Sequence, residues 1–366
     1  MMYSEKDLVA VGKRENNKKR NYLVVNPLQG KHIPVRPGQA FELFDALADL
    51  IRAEYKEERL LLIGFAETAT AIGAEAAVRL GAQYIQTTRE HIPGVSYLFF
   101  SESHSHATEQ KLVKDDIDQA IGRADRVVFI EDEVTTGNTI LNIVSVMEEL
   151  YGNDLKFSVA SLLNGMEKEH LEIYEKKGIA ALYVLKTDHE KYAALAERNM
   201  AGGIYEECGS AGCVCAREVK INGKADARRL VDGAGYRRAC ESLWHEIDAA
   251  FKFEAGERVL VVGTEEFMYP ALFAARCMEE KGVLAWSHST TRSPVMVFAD
   301  ESYPLKTRYE LKSLYDKDRT TYLYNIESYD RVFIITDAAG GEEEGKNSLV
   351  GAIARKNNNI NLIRWC

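Results

Sequence analysis

Apolar residues fall along this chain in short runs that alternate with longer periodic stretches. Tyr22–Val25 is one such run, closed by Asn26 and Pro27 in the manner of a strand. Over 41–55, apolar residues stand at 41, 43, 44, 47, 50 and 51, the stripe of a helix. A buried strand over 60–63 ends at Gly64, and 68–80 reads as a helix stopped by Gly81. Further strands are expected at 84–85, 97–100 and 126–130. A helix over 140–151 is stopped by Gly152 and Asn153, and strands at 157–163 and 181–185 follow. Strands alternating with helices of this length predict an α/β fold: a mainly parallel sheet with helices on both faces.

The pattern breaks over 200–226, where Gly202, Gly203, Gly209 and Gly212 accompany Cys208, Cys213 and Cys215. Beyond it, 235–253 reads as a helix and 258–262 as a strand. The later part echoes the earlier. Glu58-Arg59 and the run to Gly64 match Glu257-Arg258 and the run to Gly263, and Glu67 answers to Glu266. Thr87-Thr88-Arg89 is matched by Thr290-Thr291-Arg292, and Asp125-Arg126 with its apolar run by Asp330-Arg331 with its own. Three landmarks in one order at similar spacing imply a duplicated topology. The expected division is a first domain over 21–200, a Gly/Cys linker over 201–226 and a second domain over 227–366. Residues 1–20 read as a solvated tail ending in Lys18, Lys19 and Arg20.

Composition narrows the function classes. The chain has 366 residues and a net charge of −10, against a duplex-binding protein with a broad basic surface. No apolar run approaches the ~18–20 residues of a membrane span, and the N-terminus lacks the apolar core of a secretion signal. Six cysteines are ordinary for a reduced, cytoplasmic protein. Small-molecule partners are expected, without membrane or nucleic acid; a homodimer stays open.

The strongest chemical signal is the segment from Arg126 to Thr139. An apolar run ends in Glu131 and Asp132; Glu133 and Val134 follow, then Thr135-Thr136-Gly137-Asn138-Thr139, then a helix. Amides at a helix start, with threonine hydroxyls, suit a dianionic phosphate. Gly137 allows close backbone approach. Carboxylates at the strand end can accept hydrogen bonds from vicinal sugar hydroxyls. A sugar phosphate fits both features.

This segment resembles the phosphoribosyl-diphosphate (PRPP) motif of type I phosphoribosyltransferases, although Glu133 stands where that motif is usually apolar or small. The strings GKHIPV (30–35), GFAETATAIG (64–73), QTTRE (86–90) and FSESHSHAT (100–108) look like those of phosphoribosyltransferases found near bacterial tellurium-resistance genes. GTEEFMYP (263–270) and STTRSPV (289–295) look like the TRSP domain that follows the transferase in that family. The resemblance implies a Rossmann-like transferase domain with a second, degenerate copy behind it. It implies Mg²⁺-dependent transfer of ribose 5-phosphate from PRPP to a nitrogenous base, in a stress-associated pathway to a nucleoside-like metabolite. The alternative is a non-catalytic PRPP- or nucleotide-binding regulator.

On this reading Glu131 and Asp132 are catalytic. With Thr135, Thr136, Gly137, Asn138 and Thr139 they bind ribose and 5′-phosphate. Phe65, Ala66, Glu67 and Thr68 form the diphosphate loop. Lys31, His32, Arg89, Ser103 and His104 are candidates for a hood or flap; His104 with His106 could equally be a metal pair or a plain polar loop. Mg²⁺ is carried mainly by PRPP, with Asp132 a candidate ligand. In the second domain Glu265, Glu266, Arg292, Ser293 and Asp337 are a candidate ligand site. Cys208, Cys213 and Cys215, with Cys240, could hold zinc or a cluster, or be free thiols.

Overall fold

A computed structural model describes residues 3–15, 20–100, 110–197, 201–208 and 216–366. Ser103, His104, His106, Cys213 and Cys215 lie outside the described residues. Packing divides the chain into two units. The first comprises Phe41–Thr187 and Ala225–Ala239; the second comprises Met2–Ala40, Asp188–Lys224 and Cys240–Cys366.

In the first unit a six-stranded sheet runs in the order Val231–Asp232, Gln83–Gln86, Leu60–Gly64, Arg126–Val134, Lys156–Asn164, Ala180–Lys186. Val231–Asp232 is antiparallel to its neighbour and all other pairs are parallel. Leu61, Leu62, Ile63 and Val127 through Ile130 are all buried, as central strands covered on both faces require. Helix Thr70–Leu80 follows the first parallel strand and stops at Gly81, which takes the left-handed conformation. Helix Asn138–Tyr151 turns Ile143 and Met147 into the core beside Phe129 and Leu61. Burying each such side chain stabilises the unit by about 1.5–3 kcal/mol. A hairpin of Tyr97–Phe99 and Lys111–Val113 flanks the sheet.

The strand order locates the ligand crevice. Leu60–Gly64 sits between Gln83–Gln86 and Arg126–Val134, so the chain crosses over in opposite senses on its two sides. In open parallel sheets the crevice lies outside the carboxyl ends of the strands at such a reversal. The loop after Gly64 and the end of Arg126–Val134 both stand there.

The second unit holds a five-stranded, wholly parallel sheet in the order Arg217–Ile221, Ile360–Trp365, Arg331–Thr336, Arg258–Gly263, Leu284–Ser289. Four of its strands repeat the order of their counterparts in the first unit, as the duplicated sequence landmarks predict. A smaller sheet pairs Ile204–Glu207, Thr307–Lys312 and Thr320–Tyr324.

The division differs from the expected one at two places. Residues 3–15 are no solvated tail. Leu8 is buried, and Ala10–Lys13 pairs with Tyr22–Val25, whose Val25 packs with Val295, Leu305 and Tyr324 of the same unit. Residues 227–239, expected in the second domain, belong to the first unit. Arg229 grips Asp116 with both guanidinium arms at 2.6 and 2.8 Å, and Val231–Asp232 covers the sheet edge at Gln83 and Tyr84. Among the described residues no helix is long and apolar enough to cross a membrane.

Candidate active site

Strand Arg126–Val134 runs four residues past its expected end. Glu131, Glu133 and Val134 pair in register with Ser161, Leu163 and Asn164 of Lys156–Asn164. The acid pair is therefore held on a rigid strand rather than in a loop. Burial, then the charges of Asp132 and Glu133, raise the Glu131 carboxyl well above its ordinary range.

The turn after the strand ends at Gly137, which adopts φ 71° and precedes helix Asn138–Tyr151. The Gly137 carbonyl accepts the Tyr174 hydroxyl at 2.8 Å. A Cβ at Gly137 would lie 2.2 Å from that oxygen, so both conformation and space demand glycine. The helix start has no side-chain cap and no acidic residue in its first turn. Among the described residues, the acceptor found for the amides of 135–139 is the Thr136 hydroxyl, 3.5 Å from the Asn138 nitrogen. A helix start of this kind favours an anion.

The loop 65–68, expected to meet diphosphate, lies across from the acid pair. Phe65 N donates to Ile130 O at 3.0 Å, and the Thr68 hydroxyl donates to Asp132 Oδ1 at 2.8 Å. Ala66 N donates to the Thr87 hydroxyl at 2.8 Å, while Gln110 Nε2 donates to Ala66 O at 3.0 Å. The peptide between Ala66 and Glu67 is cis. Helix Thr70–Leu80 follows, with the Thr70 hydroxyl on Glu67 O at 3.2 Å. Arg89 stands half-buried just beyond Thr87 and Thr88, both buried. Tyr174, Gln110 and Thr87 shape the site without having been singled out as site residues. Tyr174 and Gln110 act through tertiary hydrogen bonds that leave no periodic or motif signal, whereas Thr87 falls in the Thr87-Thr88-Arg89 landmark. A cavity of about 510 Å³ lined by Arg52, Tyr55, Arg59 and Gln83 is at the opposite, amino-terminal ends of the strands, away from this chemistry.

Lys31 and His32 belong to the second unit. Lys31 is fully buried, its ammonium donating to Glu265 O at 2.7 Å and Thr290 O at 2.9 Å. The ring of His32 is 5.9 Å from that of Tyr324. In the same unit Glu265, Glu266 and Arg292 come together, with Arg292 bonded to both glutamates and Ser293 N on the Thr291 hydroxyl at 3.2 Å, while Asp337 bonds to the Tyr315 hydroxyl at 2.7 Å and Lys224 Nζ at 3.5 Å. Cys208 is buried, and burial is the largest cause raising its thiol above the ordinary value. Among the described residues no three His, Cys, Asp or Glu side chains are arranged to hold a metal by themselves.

A family model described as phosphoribosyl transferase matches residues 8–185, and one described as the TRSP domain C-terminal to it matches residues 232–353. The chain belongs to the phosphoribosyltransferases that carry a C-terminal TRSP domain. Phosphoribosyl transfer is accordingly its enzyme class. Solved structures similar to this phosphoribosyltransferase include that of the adenine phosphoribosyltransferase of Giardia lamblia complexed with 9-deazaadenine. It is 18% identical, over 50% of this chain and 95% of that one, with a TM-score of 0.34. The Saccharomyces cerevisiae adenine phosphoribosyltransferase is 15% identical over 49% and 95%, at 0.35. The orotate phosphoribosyltransferase of Aeropyrum pernix is 18% identical over 48% and 88%, at 0.32. No curated protein matches the chain.

Proposed function

We propose that the first unit transfers ribose 5-phosphate from PRPP to a nitrogenous base and releases diphosphate. One observation carries the reading. The Thr68–Asp132 hydrogen bond ties the diphosphate loop to the acid pair at the strand-order reversal, and the same strand leads into an uncapped helix start. The 5′-phosphate sits on the turn 135–139, where amides and hydroxyls converge. The ribose hydroxyls donate to Asp132 and Glu131. Breaking the C1–diphosphate bond builds positive charge on the sugar, and the Asp132 carboxylate, fixed on a strand, stabilises it without reorganising. Holding both ends of PRPP accounts for much of the remaining rate gain.

The acidic oxygens here are hard donors and suit Mg²⁺. Asp132 would hold the cation together with substrate oxygens. When bound, the cation offsets charge on the leaving diphosphate. A stress-associated role in making a nucleoside-like metabolite draws support from the family resemblance alone.

The test is release of diphosphate from PRPP across a panel of purine, pyrimidine and related bases. Release that depends on one base supports transfer. PRPP binding with no release by any base overturns it in favour of a regulatory PRPP-binding protein.

A further inference from the structure

The two units match bond for bond around their central strands. Gly64 pairs with Ile130 and Gln86; Gly263 pairs with Ser289, and Val262 with Ile334. Thr87 N donates to Gly64 O and Thr290 N to Gly263 O. The Thr87 hydroxyl accepts Ala66 N at 2.8 Å, and the Thr290 hydroxyl accepts Glu265 N at 3.0 Å. Thr88 bridges to Lys111, and Thr291 to Tyr322. By this register Glu265 and Glu266 stand for Ala66 and Glu67, Arg292 for Arg89, and Thr336 and Asp337 for Glu131 and Asp132.

The contents of the second loop are already paired. Arg292 donates to Glu265 Oε2 at 2.8 Å and to Glu266 Oε1 at 2.9 Å. Arg319 reaches Glu265 Oε2 at 2.8 Å, and the Ser313 hydroxyl reaches Glu265 Oε1 at 2.5 Å. Both come from the chain joining Thr307–Lys312 to Thr320–Tyr324. The Tyr315 hydroxyl, from the same connection, donates to Asp337 Oδ1 at 2.7 Å. Glu265 and Glu266 are each 1% exposed, and Glu265 holds φ 51°. A non-glycine residue keeps that conformation where its surroundings fix it. The loop amides of Phe267 and Met268 bond to Thr264 O and Glu266 O.

The second anion position differs in the same sense. Helix Glu343–Ala354 starts at the same sequence distance from Asp337 as Asn138–Tyr151 does from Asp132. Its N-cap is Glu342 and its first turn carries Glu343 and Glu344, where the first unit has Gly137, Asn138 and Thr139. None of these carboxylates caps a helix amide and Glu343 pairs with Lys346 at 2.6 Å, but their negative charge lies at the dipole end that a phosphate would otherwise meet.

We propose that the second unit is a self-liganded copy of the transfer site, with glutamates at both positions where the first unit takes phosphate groups. Glu265, in the place of Ala66, joins Glu266, the counterpart of Glu67, in holding Arg292, the counterpart of Arg89. Glu342, Glu343 and Glu344 take the helix start that would meet the 5′-phosphate. The domain therefore binds neither PRPP nor diphosphate, and the chain has one PRPP site. An entering phosphate would meet like charge, and displacing the glutamates would leave buried charges uncompensated. This inference rests on the PRPP reading of the first unit and replaces the expected ligand site around Glu265, Glu266, Arg292, Ser293 and Asp337.

Equilibrium dialysis of the full chain with labelled PRPP and Mg²⁺ tests it. One PRPP per chain, lost entirely in Gly137→Val, supports the proposal. Two per chain, or residual binding in Gly137→Val that Asp337→Asn removes, overturns it. No binding at all would refute the reading of the first unit and still agree with a sealed second one. A gain of function tests the glutamates themselves. In the Gly137→Val chain, Glu265→Gln/Glu266→Gln, checked for folding by circular dichroism, should bind inorganic diphosphate at least tenfold more tightly than its parent. Where the buried pair does not fold, Glu343→Gln/Glu344→Gln at the exposed helix start should acquire severalfold tighter binding of inorganic phosphate. A folded variant with no gain overturns the stand-in assignment.

Discussion

The two units share a strand order and differ at two loops. In the first, the strand end carries Glu131 and Asp132, and the next helix starts with no acid in its first turn. In the second, Thr336 and Asp337 stand at the strand end, and the helix starts with glutamates. The backbone supplies the same crevice and the same helix dipole to both. Side-chain charge, together with the left-handed Glu265 and the internally bonded amides of its loop, sets the two crevices apart, so the shared fold does not by itself imply shared chemistry.

Substitutions at matched positions test this contrast. The largest effect is expected at Gly137→Val, which collides with Tyr174 and strains the turn. PRPP-dependent turnover should fall by more than about 100-fold, read by steady-state kinetics. Asp132→Asn removes a charged acceptor and should lower kcat/KM for PRPP by roughly 10- to 100-fold, whereas Asp337→Asn should stay within about twofold. Equal losses at the two aspartates would dissolve the contrast. Tyr174→Phe deletes one hydrogen bond to Gly137 O and should raise KM for PRPP about fivefold with a smaller change in kcat.

The smallest effect on transfer is expected at His288, in the second unit. Burial is the largest cause lowering this group to about 4, and its Nε2 donates to Tyr324 O at 2.8 Å. The folded state thus keeps it neutral while the unfolded chain binds a proton near the ordinary 6.5. The His288 contribution to stability is present above pH 6.5 and is lost as pH falls towards about 4. The loss is on the order of 3 kcal/mol over that window. Thermal melts should show the acid sensitivity reduced in His288→Gln, with turnover at neutral pH little changed.

Much of this was legible in the sequence, because strands and helices announce themselves through local periodicity. The duplicated landmarks at Gly64 and Gly263 led to two sheets with matching strand order. Motif spacing placed the acid pair and the threonine turn together, and Gly137 sits where a left-handed residue is required. Other parts depend on pairing between distant segments, which local pattern does not encode. The strand extends through Glu131 to Val134 because its neighbour runs as far. Lys31 lies in the second unit because its ammonium satisfies two carbonyls from residues more than 200 positions away. Val231–Asp232 is too short to show alternation, yet it closes a sheet edge.

The most direct measurement is a crystal structure of the full chain soaked with PRPP and Mg²⁺. The account predicts the 5′-phosphate on the turn 135–139, ribose hydroxyls on Glu131 and Asp132, diphosphate along 65–68, and Arg292 still bound to Glu265 and Glu266. PRPP seated in the second unit, or a first-unit turn left empty at saturating ligand, would contradict it.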